Sequence, residues 1–127
     1  MRILFYGDGP WAHISLKKIA GSKDLEVAGV VLRYNKPDLE LKKIAESLDI
    51  PVYREADVNS GKFVNLCMDM DLDLSVSMSF DQIIKKPLRE TSKKGFINCH
   101  AGKLPNYRGR NIINWALIND EKEIGIT

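Results

Sequence analysis

The chain has 127 residues, 44% of them hydrophobic and 28% charged, with a formal net charge of +2. That length is one domain with room for a real core, and the small net charge gives no reason to expect bulk attraction to nucleic acid. Only two cysteines occur, without a CxxC or Cys/His cluster, and the opening apolar run is short. A disulfide framework, structural zinc, a signal peptide and a membrane span are therefore not expected, and the reading is a cytoplasmic protein without a metal.

Arg2 to Tyr6 reads as a strand that stops at Gly7-Asp8-Gly9-Pro10, and Pro10 marks a helix start. Trp11, Ile14, Ile19 and Ala20 predict the buried face of that helix, which Gly21-Ser22 ends. Glu26 to Leu32 is almost continuously apolar, as a strand covered on both faces should be. Leu39, Leu41, Ile44, Ala45 and Leu48 form a helical stripe. Asp49 to Tyr53 is a short strand, placed near an edge because Pro51 has no N–H. Asp57 to Ser60 can start a further helix through Phe63, Val64, Leu66, Cys67 and Met70. From Asp71 to Ser79, Leu72, Leu74, Val76 and Met78 alternate with polar residues, which indicates a strand. Ile83 to Ser92 is a weaker helix, limited by Pro87. Gly95 to His100 is the next strand, Ile112 to Ile118 a helix, and Ile124 to Thr127 the beginning of another strand.

Strand and helix alternate throughout, so the expected class is α/β: a three-layer domain with a mostly parallel sheet. Ligands of such sheets bind beyond the C-terminal strand ends. Gly7 to Trp11, Met78 to Gln82 and Asn98 to Arg110 all follow strands and should gather along that edge. Asn98 and His100 are two apart, so on a strand they share a face. An imidazole can accept a proton from an attacking amine, and an Asn amide can donate to a carbonyl oxygen as it becomes an oxyanion. The pair suits acyl transfer to an amine or to water. Cys99 between them is expected to face the core as a buried thiol. No serine sits in a G-x-S-x-G elbow, so direct transfer fits better than a covalent intermediate. Lys103, Arg108 and Arg110 are either solvated or able to hold an anionic substrate. Gly7-Asp8-Gly9 begins like a dinucleotide fingerprint, but Leu32-Arg33-Tyr34 stands where an acidic residue should end the second strand, which argues against NAD. Trp11, by that turn, is either core or able to stack on a sugar or base.

The run Asn98-Cys99-His100-Ala101-Gly102-Lys103-Leu104-Pro105-Asn106-Tyr107-Arg108-Gly109, continuing into Asn114-Trp115-Ala116-Leu117-Ile118-Asn119, resembles the signature of formyltransferases that use N10-formyltetrahydrofolate. That superfamily includes methionyl-tRNA formyltransferase, glycinamide ribonucleotide formyltransferase and the sugar-nucleotide N-formyltransferases. Ala101-Gly102-Lys103, the opening Gly7-Asp8-Gly9-Pro10-Trp11-Ala12 and Arg110-Asn111 are most similar to the sugar-nucleotide branch.

The resemblance implies a Rossmann-like formyltransferase fold. It also implies formyl transfer from the folate to the amine of a nucleotide-linked amino sugar, with no nucleic acid, membrane or metal involved. Asn98 would stabilise the tetrahedral intermediate and His100 would handle the amine proton. Met78, Ser79, Phe80, Gln82 and Ile83 would line the pterin pocket, largely through backbone groups, with Leu104 also on the cofactor side. Pro10, Trp11, Lys103, Tyr107, Arg108 and Arg110 would face the substrate. The family completes its site with an Asp after the next strand, and no residue here matches it, Asp120 being wrongly placed. Residues 1–127 are therefore expected to be an incomplete N-terminal catalytic domain, with weak or no turnover alone. Longer relatives would be dimeric, while the oligomeric state of this chain stays open. The alternatives are a methionyl-tRNA formyltransferase-like enzyme, or a folate- or nucleotide-binding module without catalysis.

Overall fold

The computed structural model describes residues 1–127. Five strands and five helices alternate: β1 Arg2–Gly7, α1 Pro10–Ala20, β2 Glu26–Leu32, α2 Leu39–Ser47, β3 Val52–Arg54, α3 Gly61–Asp69, β4 Leu74–Met78, α4 Lys86–Arg89, β5 Phe96–Cys99 and α5 Ile112–Ile118. The sheet order is β3-β2-β1-β4-β5. β1 pairs in parallel with both β2 and β4, and β2 with β3, so the α/β expectation holds. β3 lies at the edge, where Pro51 placed it. The chain divides into two compact units, residues 1–97 and 98–127.

Within residues 1–97 the alternation of β1 and β2 side chains feeds two apolar clusters, one on each face. Leu4, Tyr6, Ala28 and Val31 join Phe63, Val64 and Cys67 of α3 and Leu88 of α4. Phe5, Val30 and Leu32 join Ala12 and Leu16 of α1 and Leu41, Ile44 and Ala45 of α2. Two faces buried by strands of period two make the three layers. Of the expected α2 stripe, Leu41, Ile44 and Ala45 are buried while Leu39 and Leu48, at the two ends of the helix, are exposed; Asp38 caps its start, the side chain accepting from Glu40 N and Leu41 N. Ser60 does the same for α3 through Phe63 N.

Four expectations need correction. The buried face of α1 is Ala12 and Leu16, an i,i+4 pair, while Trp11 and Ile14 are exposed. The helix around Pro87 shrinks to Lys86–Arg89, because proline is tolerated only in a first turn. β4 has the predicted period, but its serines are the most buried side chains: Ser75 and Ser77 are covered, and Ser75 Oγ lies 2.9 Å from Ser92 Oγ. Two hydroxyls that satisfy each other can be buried where unpaired ones would be costly. Ile124 to Thr127 forms no strand; only Thr127 pairs with the backbone of His100, N to O at 2.9 Å and O to N at 2.7 Å.

Candidate active site

In residues 1–97 the ends of β1, β2 and β4 carry a polar network. The last ladder bond runs from Asp8 N to Met78 O, 3.1 Å. Beyond it Gly9 turns at φ 82° into Pro10, a conformation suited to glycine, and Ser79 turns at φ 59°. Arg33, the first residue after β2, sits 3.1 Å from Asp8 Oδ2 through Nη1 and donates through Nη2 to Ser79 O. Asp38 Oδ2 accepts from Gly9 N at 2.7 Å and is 2.6 Å from His13 Nε2. Burial pushes the Asp38 carboxyl up, but the bonds from Leu41 N, Gly9 N and His13 outweigh it and hold it below the usual carboxylate range. Burial pushes Asp8 above that range; Arg33 opposes the rise, while Asp38 and Asp81 add to it.

The residues expected around the pterin occupy this edge in different ways. Met78 O is taken by the ladder and its Sδ is 3.4 Å from Ser15 Oγ. Phe80 packs edge-on against Tyr6, ring centroids 5.3 Å apart, so its ring serves the core. The Gln82 amide is occupied at both ends: Oε1 accepts from Val58 N and Nε2 donates to Glu55 O, each at 3.0 Å. Ile83 is highly exposed and its carbonyl accepts from Asn59 Nδ2 at 2.9 Å. Pro10 and Trp11 are exposed at the start of α1, so Trp11 is free to stack rather than being core.

Residues 98–127 are built around His100. β5 ends at Cys99, one residue before it. Its Nε2 lies 2.7 Å from Tyr107 O. A carbonyl only accepts, so Nε2 carries the proton and, in the neutral ring, Nδ1 is the basic nitrogen. The loop closes this tightly because residue 102 is glycine: a Cβ there would lie 2.5 Å from Tyr107 O and 2.7 Å from His100 Nε2. Thr127 reinforces the closure, its hydroxyl donating to Gly102 O at 2.8 Å and accepting from Leu104 N at 3.2 Å. The Leu104–Pro105 peptide is cis.

Tyr107 is anchored at its far end, its hydroxyl donating to Glu121 Oε1 at 2.5 Å and accepting from Asn119 Nδ2 at 3.3 Å. The bond to Glu121 pushes the phenol pKa up, so the hydroxyl stays protonated. Of the expected cations, Lys103 pairs with Glu123 at 3.1 Å, while Arg108 and Arg110 are exposed. Asn98 is exposed on β5, and Cys99 is partly exposed rather than buried, because this stretch of β5 has little packed over it. Asp120 pairs with Lys122 at 2.8 Å.

Sequence reasoning missed His13, Arg33 and Asp38. Two broad open concavities lie away from these residues, one of about 450 Å³ between the start of β2 and the loop after α2, the other of about 530 Å³ along α2 and β3, and no expected site residue lines either.

A formyl transferase family profile matches the chain over residues 1–127, and the chain belongs to that family. Methionyl-tRNA formyltransferase of Clostridioides difficile (strain 630) is 34% identical over 135 residues, covering 100% of this chain and 43% of that protein. The chain thus spans less than half the length of the curated relatives it matches. Phosphoribosylglycinamide formyltransferase from Bacillus halodurans superposes with a TM-score of 0.81 at 19% identity, covering 100% of this chain and 70% of that one. A formyltetrahydrofolate deformylase from Pseudomonas syringae pv. tomato superposes at 0.76 and 21%, over 99% of this chain and 44% of that one. At such identities the superpositions establish the shared fold.

Proposed function

We propose that residues 1–127 are the formyl-transferring part of a methionyl-tRNA formyltransferase-like enzyme, which moves the formyl group of N10-formyltetrahydrofolate to the amine of an aminoacyl-tRNA. The observation that carries the chemistry is the bond of His100 Nε2 to Tyr107 O, which leaves Nδ1 as the base. The acceptor is argued from the tRNA enzymes among the curated relatives. The nucleotide-linked amino sugar expected from Ala101-Gly102-Lys103 has no counterpart in those names and gives way to tRNA. With it goes the expectation of no nucleic-acid partner.

The amine nitrogen attacks the formyl carbon, and the carbonyl oxygen gains the negative charge. The Asn98 amide stabilises that oxyanion. The ammonium proton passes to His100 and on to the folate nitrogen as its bond to carbon breaks, so transfer ends with a formamide and tetrahydrofolate. Met78, Ser79, Phe80, Gln82 and Ile83 present backbone to the pterin, since the Phe80 ring and the Gln82 amide are already engaged. Leu104 is assigned to the cofactor as well. Pro10, Trp11, Lys103, Tyr107, Arg108 and Arg110 are assigned to the acceptor.

The test, on the enzyme of which residues 1–127 are the proposed part, offers N10-formyltetrahydrofolate with methionyl-tRNA, a nucleotide-linked amino sugar or glycinamide ribonucleotide, in separate reactions. Formylation of methionyl-tRNA, lost in Asn98→Ala and His100→Ala, is expected. Formylation of the sugar alone would overturn the acceptor, and full activity of His100→Ala would overturn the mechanism.

A further inference from the structure

We infer that Arg33 is a positioning residue, a two-pronged clasp that fixes the β1–α1 turn against the loop after β4 and so sets the shape of the folate-binding edge. The inference rests on the reading that the loop after β4 receives the pterin.

β1 and β4 are hydrogen-bonded neighbours as far as Asp8 N and Met78 O. Past that bond the two chains part, Gly9 at φ 82° and Ser79 at φ 59°, and no ladder hydrogen bond holds the gap. Arg33 comes from β2, on the other side of β1 from β4. Neighbouring strands lie about 4.8 Å apart, so the side chain must reach across the end of β1 to touch the end of β4. It does so with separate nitrogens: Nη1 on the Asp8 carboxylate and Nη2 on the Ser79 carbonyl.

The pair is partly withdrawn from water, the Arg33 side chain being 31% and the Asp8 side chain 23% exposed. Burial also raises the Asp8 carboxyl, and the Arg33 guanidinium opposes that rise. Asp38, further along the same β2–α2 connection, also holds the turn, accepting from Gly9 N. Ser79 is a non-glycine residue in the left-handed region, a conformation that persists only where its surroundings impose it. Arg33 on its carbonyl is one such constraint. A lysine offers one compact charge and no planar fork, so it can hold either partner but not both in this geometry.

The test uses the full chain and four variants: Arg33→Lys, Arg33→Met, Asp8→Asn and Arg33→Met combined with Asp8→Asn. Two readouts are taken at matched temperature, amide hydrogen exchange at Gly9 and at Ser79 to Gln82, and calorimetric affinity for 5-formyltetrahydrofolate. Arg33→Met is expected to speed exchange in both loops together and weaken the folate probe roughly tenfold. Arg33→Lys should not rescue the affinity. Asp8→Asn should loosen the Gly9 side more than the Ser79 side, and combining it with Arg33→Met should add nothing further. Exchange in Arg33→Met that changes in neither loop or in one alone, or wild-type affinity in Arg33→Lys, would overturn the clasp. If the wild-type protein fails to bind the probe, the folate reading falls, while the exchange measurement still decides the clasp. Should Arg33→Met not fold, Arg33→Lys and Asp8→Asn carry the same test.

Discussion

Residues 1–97 and 98–127 are held in shape by different forces. In the first unit, two clusters of buried side chains fix the strands, and the polar network at the strand ends is laid on that frame. In the second, Gly102, Ile112 and Ala116 are the buried residues, while Ile113, Trp115, Leu117, Ile118, Ile124 and Ile126 are exposed. Its conformation rests on hydrogen bonds: His100 to Tyr107, Thr127 to His100, Gly102 and Leu104, and Tyr107 to Glu121. Substitutions in the two buried clusters of the first unit should therefore act on stability, and those in the second unit on the geometry around His100.

The largest effects should come from the second unit and appear in activity. His100→Ala removes the proposed base and should cost about 10²–10⁴-fold in formyl transfer. Gly102→Ala drives a Cβ into the Tyr107 carbonyl and the His100 ring, and should approach the same loss. Circular dichroism of both variants should stay close to wild type; a collapse of the helical signal would mean that the division between the units is wrong.

The next largest effect belongs to the first unit. Phe63 is 1% exposed in the cluster under Leu4 and Tyr6. Phe63→Ala should destabilise by about 3–5 kcal/mol, read from urea denaturation. A loss below 1 kcal/mol would argue against a packed core there.

Asp38 provides a smaller, pH-dependent effect. Its pKa is depressed in the folded state, so the stability it contributes is complete above the unfolded value of about 4 and is lost as pH falls through the folded value. Asp38→Asn should lower the melting midpoint at pH 7, and the gap to wild type should close on acidification. A gap that is constant down to pH 2 would contradict the assignment. Replacing Asp38 by Ala removes the α2 cap as well, at a cost of about 1 kcal/mol.

The cysteines sharpen the contrast most gently. Burial pushes the Cys67 thiol up to about 11, with Tyr6 beside it, whereas Cys99 is partly exposed. A thiol reagent at neutral pH should label Cys99 first and Cys67 only on unfolding. Equal labelling of both in the native protein would be inconsistent with the packing around α3.

Much of the first unit was legible because local pattern and packing agree there. The continuous run of β2 led directly to a buried strand, and the α2 stripe to the buried Leu41, Ile44 and Ala45, though its end members Leu39 and Leu48 are exposed. The face of α1 misled because Trp11 and Ile14 are apolar yet exposed, while the smaller Ala12 takes the buried position. His13, Arg33 and Asp38 were illegible for another reason. Their partners lie 25 to 46 residues away in sequence, and only the sheet order brings them together. In the second unit Asn98 and His100 were recognisable from residue type and from the resemblance. Which nitrogen of His100 carries the proton was not, since it depends on a carbonyl seven residues further on.

Nitrogen-15 spectroscopy of the His100 imidazole in the neutral ring locates that proton directly. The expected result is a protonated Nε2, held by the Tyr107 carbonyl, and an unprotonated Nδ1 able to take a proton. A ring carrying its proton on Nδ1 would contradict both the geometry around His100 and the mechanism built on it.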